Sequence, residues 1–422
     1  MKISPQTEKT FAALVLPRFL RYVKIWTTSD RRSAETPSSP GQWELAKLLV
    51  EELKALGLES VVLTGNCYVI AEIPPSPGYE TKPVIGFLAH LDTAQDVSGR
   101  DVKPLVVENY DGKKIILKET TAGPIALDPE ADTALAAQAG KTIIHSDGTT
   151  LLGADDKAGI AEIMGAVEYI LGRRDLEHGA VQIVFSPDEE TGRGLPGFPL
   201  DRIRAGVCYT VDGGGAGELE AECFNALEAK ISFSGRVIHL GQARGELANA
   251  CLMAAVFAAL LPRSESPEAT DGRYGYYCPT GISGDLEKAE LELFIRDFDL
   301  RRARERAANL ELFAKTVEAQ FPGGRVRVET KPQYYNMKQR IDETPGALEK
   351  LADAARRIGV PCTFKPIRGG TDGSRLTELG IPTPNIFTGG RNFHSPAEWA
   401  ALSDMAAACA LITELVRLWA AG

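Results

Sequence analysis

The chain has 422 residues, enough for two domains of ordinary size, and its 44% hydrophobic and 25% charged residues are typical of a globular protein. It carries 47 lysines and arginines against 57 aspartates and glutamates, a net charge of −10 at pH 7. This acidic balance argues against nucleic acid and anionic membrane surfaces as partners, because both are negatively charged.

The first half of the chain alternates helical and strand patterns. Apolar residues at helical spacing predict helices over residues 43–56 and 156–171, the first closed by Gly57. Short apolar, β-rich runs predict strands over 60–63, 68–73, 84–89, 181–185 and 207–211. Such alternation favours a mostly parallel sheet covered by helices on both faces.

After about residue 222 the pattern changes. A strand over 229–233 and a helix over 246–261 are followed by strands over 274–282 and 289–296, a helix over 301–321 and a strand over 326–329. This is the β-α-β-β-α-β order of ferredoxin-like domains. From about residue 336 the α/β pattern returns. We therefore predict an α/β domain formed by residues 1–223 and 336–422, interrupted by an inserted α+β domain over 224–335.

The seven cysteines are scattered singly without a CxxC motif, and an odd number cannot pair completely, which is typical of a reducing compartment. The apolar run 11–16 is too short for a secretory signal. No other stretch approaches the roughly 20 apolar residues that a membrane span needs. The sequence therefore predicts a cytoplasmic location.

Acidic residues and histidines recur after the apolar strands and glycine-rich stretches, at His90-x-Asp92, Asp155-Asp156, Asp188-Glu189-Glu190, Asp212 and His394. In a parallel sheet, residues that follow the strands meet at one edge, where ligand sites form. Oxygen and nitrogen ligands without thiolate suit divalent zinc, cobalt or manganese.

Each pattern also has a simpler interpretation. An isolated His-x-Asp or Glu-Glu pair is usually a surface feature, Asp155-Asp156 could be a helix N-cap pair, and Asp212 could belong to a turn. The recurrence of the same chemistry in a chain with five histidines favours a metal centre. In such a centre a carboxylate such as Asp92 could orient His90, and one member of Glu189-Glu190 could bind metal while the other accepts a proton from water.

A set of motifs from about residue 43 to the C-terminus resembles the tripeptide aminopeptidases of the M20 family of dizinc metallopeptidases. In chain order the motifs are HLDT, LLGADDKAGIAEI, SPDEETG, YTVDGGGAGELE, IRDFD, YYNM, IRGGTDG, PNIFTGG and NFH. The resemblance implies a mostly parallel-sheet dizinc exopeptidase domain interrupted by a ferredoxin-like lid that closes over a short peptide and supports a homodimer. It implies two Zn²⁺ ions, with Co²⁺ or Mn²⁺ as alternatives.

The resemblance also assigns the metal ligands. Asp155 would bridge both ions, His90 and Asp212 would complete one site, and Glu190 and His394 the other. The peptide bond that follows Asp155 is expected to be cis. The last ligand lies in NFHS rather than the usual NYHG, which leaves the histidine in place.

Further roles follow from the same resemblance. Glu189 would be the general base and Asp92 the partner that orients His90. His239 lies where the family has a histidine that stabilises the tetrahedral oxyanion, although Leu240 follows it where His-Pro-Gly is usual. The candidates for substrate contacts are Asn249, Arg296, Arg368, Gly369, Gly370 and Thr371.

Two of these assignments have structural alternatives. Arg296 could be tied to Asp297 or Asp299 as an ion pair, and the glycines of IRGGTDG could form only a turn.

The sequence thus predicts release of the N-terminal residue from tripeptides by metal-activated water. The same ligand set could serve a dipeptidase, a carboxypeptidase or an N-acyl-amino-acid deacylase. A catalytically silent binding protein is a weaker alternative, because all five ligand positions and the position of Glu189 hold competent residues.

Overall fold

The computed structural model describes residues 3–192 and 197–422, which form two compact units. The first unit runs up to Ala221 and also contains Gln339–Lys365 and Thr371–Gly422. The second unit contains Glu222–Lys338 and Pro366–Gly370.

The helices of the described residues, numbered in chain order, are α1 (Pro5–Tyr22), α2 (Pro40–Ala55), α3 (Thr133–Ala136), α4 (Ala154–Leu171), α5 (Ala250–Leu260), α6 (Leu300–Gln320), α7 (Lys338–Asp342), α8 (Ala347–Arg357), α9 (Asp372–Glu378) and α10 (Leu402–Ala421). Single 3₁₀ turns lie at Glu189–Thr191, Leu200–Arg202, Leu240–Gln242, Arg263–Glu265 and Pro267–Ala269.

The strands of the described residues are β1 (Val61–Leu63), β2 (Val69–Ile73), β3 (Ile85–His90), β4 (Leu105–Val107), β5 (Ile115–Lys118), β6 (Ile125–Leu127), β7 (Ile143–His145), β8 (Val181–Ser186), β9 (Val207–Gly213), β10 (Glu218–Cys223), β11 (Asn225–Ser234), β12 (Tyr276–Gly284), β13 (Lys288–Asp297), β14 (Arg325–Tyr334), β15 (Thr363–Ile367), β16 (Asn385–Phe387), β17 (Gly390–Arg391) and β18 (Trp399–Ala401).

An eight-stranded sheet forms the centre of the first unit, in the order β1-β2-β8-β3-β9-β16-β10-β15. The four central strands β8, β3, β9 and β16 pair in parallel, whereas β1, β2 and β10 pair antiparallel to their neighbours. The sheet is therefore mixed, and the predicted parallel arrangement is confined to its middle. Strands β1 and β2 are joined by a short hairpin, which requires antiparallel pairing.

Successive residues of the central strands enter separate apolar clusters on the two faces of this sheet. Phe87 and Phe185 belong to the larger cluster, which includes residues of α1, α2, α4, α8 and α10. Leu88 and Val184 belong to a smaller cluster that includes Leu376 of α9. Burial of both faces explains why these strands are continuously apolar in the sequence.

The second unit is an antiparallel sheet with two helices. Its strand order, β12-β13-β11-β14, and its chain order, β11-α5-β12-β13-α6-β14, are ferredoxin-like. Alternate strand residues such as Ile231 and Leu291 share a core with Phe257 of α5 and Leu310 of α6. The predicted fold class, an α/β domain interrupted by an α+β domain of this type, is confirmed.

Two small sheets that the sequence did not predict complete the first unit. One has the order β17-β18-β7-β4 and the other pairs β5 with β6. A small core of their own, which includes Tyr110, Leu135 and Trp399, supports them.

All seven cysteines carry free thiols. Within the described ranges, no helix has both the length and the apolar character needed to cross a bilayer.

Candidate metal centre

Acidic residues and a histidine lie together at one edge of the large sheet, at the ends of its parallel strands. His90 ends β3 and pairs with Ser186, the last residue of β8. Glu189 and Glu190 follow β8, and Asp212 lies at the end of β9. Because the carboxyl ends of neighbouring parallel strands coincide, these side chains converge.

Asp155 lies between two imidazoles. Its Oδ1 is 2.8 Å from His90 Nε2 and its Oδ2 is 3.2 Å from His394 Nε2. Its backbone is non-helical although it lies in the first turn of α4, and the peptide bond to Asp156 is cis, as the resemblance implied. Each oxygen of this carboxylate therefore faces a different histidine.

Two further carboxylates complete the cluster. Asp212 Oδ1 is 3.7 Å from His90 Nε2, and Glu190 Oε1 is 3.0 Å from His394 Nε2. The structure thus brings together the five residues that the resemblance assigned to two metal sites, with Asp155 shared.

Asp92 is fully buried and connects His90 to the glutamate pair. The backbone carbonyl of Asp92 is 3.1 Å from His90 Nδ1, and its Oδ1 is 3.4 Å away. Its carboxylate also accepts hydrogen bonds from the backbone N–H groups of Glu189 (3.0 Å) and Glu190 (3.2 Å). One residue therefore orients the imidazole and holds the turn that carries both glutamates.

The carboxylate of Asp156 binds backbone N–H groups. One of its oxygens accepts the backbone N–H of His90 (3.1 Å) and the other that of Gly159 (3.2 Å). The described residues contain two groups whose ligand atoms could surround a cation, His90–Asp156–Asp212 and His90–Asp155–Glu190. Because both Asp156 oxygens are held by backbone donors, we favour Asp155 over Asp156 as the shared ligand. The N-cap interpretation fits Asp156 alone.

The pKa values of this cluster are shifted by burial and by the closeness of three carboxylates and two imidazoles. Burial, with repulsion from Asp155, raises the pKa of Glu190 to about 7, and burial raises the pKa of Asp212 to about 6. The pKa of His394 rises to about 11 because its ring donates to Asp155 and Glu190. Burial would raise the pKa of Asp155 too, but hydrogen bonds from both imidazoles hold it below its usual value.

These features fit divalent cations. No lysine or arginine of residues 3–192 and 197–422 forms an ion pair with a carboxylate of this cluster, so the two imidazoles are the cationic partners of its three carboxylates. A set of two imidazoles and three carboxylates without a thiolate matches catalytic rather than structural zinc sites.

Comparison with known proteins identifies the family. The model of Peptidase family M20/M25/M40 matches residues 145–418. The peptidase T proteins of Geobacillus sp. (strain WCH70) and Listeria monocytogenes serotype 4a (strain HCC23) are each 45% identical to the chain over 405 residues, which cover 96% of this chain and 98% of each relative. The chain belongs to the M20 peptidase family. Its predicted class, a metallopeptidase, is confirmed with it.

Solved structures show the same fold. Aminopeptidase PepT from Bacillus cereus has a TM-score of 0.74 and a tripeptidase from Staphylococcus aureus one of 0.75, each at 21% identity and covering 97% of this chain and 99% of the other. A Bacillus subtilis protein described as a dinuclear metal binding peptidase of the M20 family has a TM-score of 0.65 at 17% identity, covering 97% of this chain and 98% of its own.

Several residues suggested by the M20 resemblance lie in the second unit. The ring of His239 accepts the backbone N–H of Gly241 (3.2 Å), and Asn249 caps α5 through the N–H of Leu252 (3.3 Å). Gly370 belongs to this unit as well, and a Cβ there would lie 2.6 Å from the Tyr334 ring.

The two candidate arginines of this unit are held by neighbouring groups. Arg296 donates to the carbonyls of Leu227 and Ile295 and to the Gln333 side chain, rather than pairing with Asp297 or Asp299. Arg368 donates to the backbone carbonyls of Gly272 (3.0 Å), Tyr274 (2.9 Å) and Thr270 (3.2 Å).

The neighbouring glycine and threonine of IRGGTDG fall on either side of the unit boundary. Gly369 belongs to the second unit, whereas Thr371 belongs to the first unit, where it precedes α9 and its backbone N–H donates to the Ser374 hydroxyl (3.3 Å).

Asp96 is a site residue that no sequence pattern predicted. Its carboxylate is 3.2 Å from His394 Nδ1, on the ring nitrogen that faces away from Asp155. Asp96 thus faces the Nδ1 atom of His394, just as Asp92 faces the Nδ1 atom of His90. The short motif His-x-Asp singled out Asp92, whereas no local pattern connects Asp96 with a histidine almost three hundred positions later.

Two other buried carboxylates near the centre were also missed. Asp372 accepts a hydrogen bond from the Ser186 hydroxyl, and burial raises its pKa to about 6. Glu398 accepts hydrogen bonds from backbone N–H groups of the segment that ends at Asp155, including those of Leu152 and Asp155. The first lies inside the IRGGTDG motif and the second four residues after His394, so proximity to a motif was the available signal.

Proposed function

We propose that the chain is a tripeptide aminopeptidase that uses two divalent cations. The observation that carries this proposal is the position of Asp155, with one oxygen near His90 and the other near His394. The 45% identity to proteins named peptidase T supports the substrate class.

In this proposal His90, Asp155 and Asp212 hold one cation, and Asp155, Glu190 and His394 hold the other. Zinc suits this ligand set best, with cobalt or manganese as substitutes. When bound, the cations supply polarisation of the scissile carbonyl and a lowered pKa for water.

The chain's own residues then perform the proton transfers. Glu189 takes the proton of the attacking water and passes it to the departing amine. The Asp92 carboxylate accepts the backbone N–H of Glu189 and so keeps Glu189 in place, and the Asp92 carbonyl orients His90 at the same time. The fixed positions of these groups lower the barrier because little reorganisation remains during the reaction.

The insert over residues 224–335 is proposed as the lid and as the dimerisation surface, with the flanking segments 1–223 and 336–422 as the catalytic domain. His239 would stabilise the oxyanion, and the six substrate candidates would contact the peptide backbone or its carboxylate. These assignments rest on the family resemblance. Free thiols at all seven cysteines support a cytoplasmic location.

A substrate panel tests the proposal. A free tripeptide, the same tripeptide with an acetylated N-terminus, a dipeptide and an N-acyl amino acid are each offered to the Zn²⁺-, Co²⁺- or Mn²⁺-loaded protein. We expect release of the first residue from the free tripeptide only. Preference for the blocked peptide or the acyl amino acid would instead identify a deacylase or carboxypeptidase, and inactivity with every metal and substrate would favour the catalytically silent alternative.

A further inference from the structure

Glu398 is a buried carboxylate, with 1% of its surface exposed, and it serves four consecutive backbone N–H groups. Its Oε2 accepts those of Leu152 (2.7 Å) and Gly153 (2.8 Å). Its Oε1 accepts those of Ala154 (2.7 Å) and Asp155 (3.2 Å).

This arrangement uses the whole accepting capacity of the carboxylate, which has about four lone-pair positions. Glu398 is therefore not available as a metal ligand. The segment that it binds has no cap of its own, because Gly153, in the left-handed region at φ 84°, provides no side chain at the start of α4. Glu398 supplies the acceptors that the first N–H groups of a helix otherwise lack.

The same residue belongs to the segment that carries His394. A compact turn joins the two: the N–H of Glu398 donates to the Ser395 carbonyl (3.2 Å), and the Ser395 hydroxyl donates to the Asn392 carbonyl (2.7 Å). Directly after it, Trp399 pairs with His145 of β7. Glu398 thus ties the backbone of one candidate ligand to the backbone of another.

We propose that Glu398 is a positioning residue that sets the spacing between Asp155 and His394 before any cation binds. The inference rests on the proposed function, because it takes these two residues as ligands of one cation. Metal–ligand distances tolerate only about 0.2 Å, so a small shift of the Asp155 backbone weakens coordination.

The test compares Glu398→Gln with the wild-type protein. Glutamine keeps the size but turns an NH₂ group toward two N–H donors, so the segment from Leu152 to Asp155 must move. We expect Zn²⁺ affinity, measured by competition with a chromophoric chelator, to fall about 10- to 100-fold. The visible absorption spectrum of the Co²⁺-loaded variant should also change. Wild-type affinity together with a wild-type Co²⁺ spectrum would overturn the proposal.

Glu162→Gln is the matched control, since Glu162 is a fully buried glutamate of α4 outside the centre. It should leave both metal readouts unchanged. Glu398→Asp keeps the carboxylate and should bind Zn²⁺ more tightly than Glu398→Gln. Affinity no better than that of the glutamine variant would count against the proposal.

Hydrogen exchange in the metal-free wild-type protein requires no variant. Slow exchange of the amides of residues 152–155 is expected, because Glu398 holds them without metal. Rapid exchange would refute the positioning role even if Glu398→Gln does not fold. His394→Ala tests the metal centre separately: if it retains both ions while these amides stay protected, the ligand assignment fails and the backbone contact stands.

Discussion

Glu189 and Glu190 are adjacent in sequence but differ in their partners. Glu190 Oε1 lies 3.0 Å from His394 Nε2, whereas the Glu189 side chain forms no ion pair within the described residues. Burial raises the pKa of Glu189 well above its usual value, an effect that the nearby Asp212 and Asp372 reinforce. Glu189 has no fixed ion-pair partner, whereas its neighbour Glu190 faces an imidazole. Glu189 is therefore the carboxylate of this pair that is suited to carry a proton.

At this scale we predict that Glu189→Gln lowers kcat on a tripeptide by about 10²- to 10⁴-fold, because the amide cannot accept the proton of water. Metal content, measured by atomic emission, should stay at the wild-type level because Glu189 is not a proposed ligand. An active Glu189→Gln enzyme would remove this residue from the mechanism. Glu51→Gln, at an exposed position of α2, is the control.

Helix α4 combines two unusual acidic positions. Its first turn carries Asp155, and further along it carries Glu162, which is fully buried. Neither carboxyl oxygen of Glu162 has a hydrogen-bond partner in the described structure. Burial, with a smaller contribution from Asp404, raises the pKa of this carboxyl group well above its usual value near 4.5. The folded protein therefore keeps a proton that the unfolded chain releases.

This difference in pKa between the folded and unfolded states predicts that Glu162 destabilises the folded protein in a pH-dependent way. At a pH below the pKa of Glu162 in the unfolded chain, this carboxyl group is protonated in both states and does not change the free energy of unfolding. As pH rises between that value and the higher folded pKa, the unfolded state is favoured by up to about 1.4 kcal/mol per pH unit. Glu162→Gln removes the titration, so its free energy of unfolding relative to wild type should rise as the pH increases above about 4.5 and should level off once the pH passes the folded pKa.

Urea unfolding at each pH measures this difference. Both proteins share every other titrating group, including the metal centre, so those contributions cancel. Glu51→Gln should show a difference that is independent of pH, because that position is exposed. A pH-independent difference for Glu162→Gln as well would contradict the assignment of a protonated carboxyl group in the core.

At the scale of the whole molecule, the metal centre joins distant parts of the first unit. Asp155 and His394 are 239 positions apart, and the bond from the Asp155 N–H to Glu398 spans 243 positions. Such long-range ligands cannot assemble in an unfolded chain, so a cation that needs all of them binds the folded state. Cation binding and folding are therefore thermodynamically coupled.

We accordingly expect Zn²⁺ to raise the thermal unfolding temperature of the chelator-treated protein. A free concentration of about 100 times Kd stabilises the folded state by about 2.7 kcal/mol. Asp155→Ala removes the proposed shared ligand and should lose most of this shift, as measured by scanning calorimetry. An equal shift in the variant would show that the cation binds elsewhere.

Much of the fold could be predicted because its strands are apolar on both faces. The predicted strand at 181–185 is Val181–Ser186, and the strand at 207–211 is Val207–Gly213. The predicted helix at 246–261 starts only at Ala250, because Asn249 caps it. Most strands of the small sheets, such as Leu105–Val107, have three or four residues, too few to give a periodic signal.

The sequence by itself determined the two kinds of domain, the family, and which residue types follow the strands, because these depend on local spacing and short motifs. Only the tertiary structure decided which atoms meet: which oxygen of Asp155 faces which histidine, that Asp96 lies behind His394, and that Glu398 holds four N–H groups. The physical reason is that local periodicity reflects neighbours a few residues away. Contacts across more than two hundred residues depend instead on strand order and helix packing, which form only when both faces of the sheet are buried together.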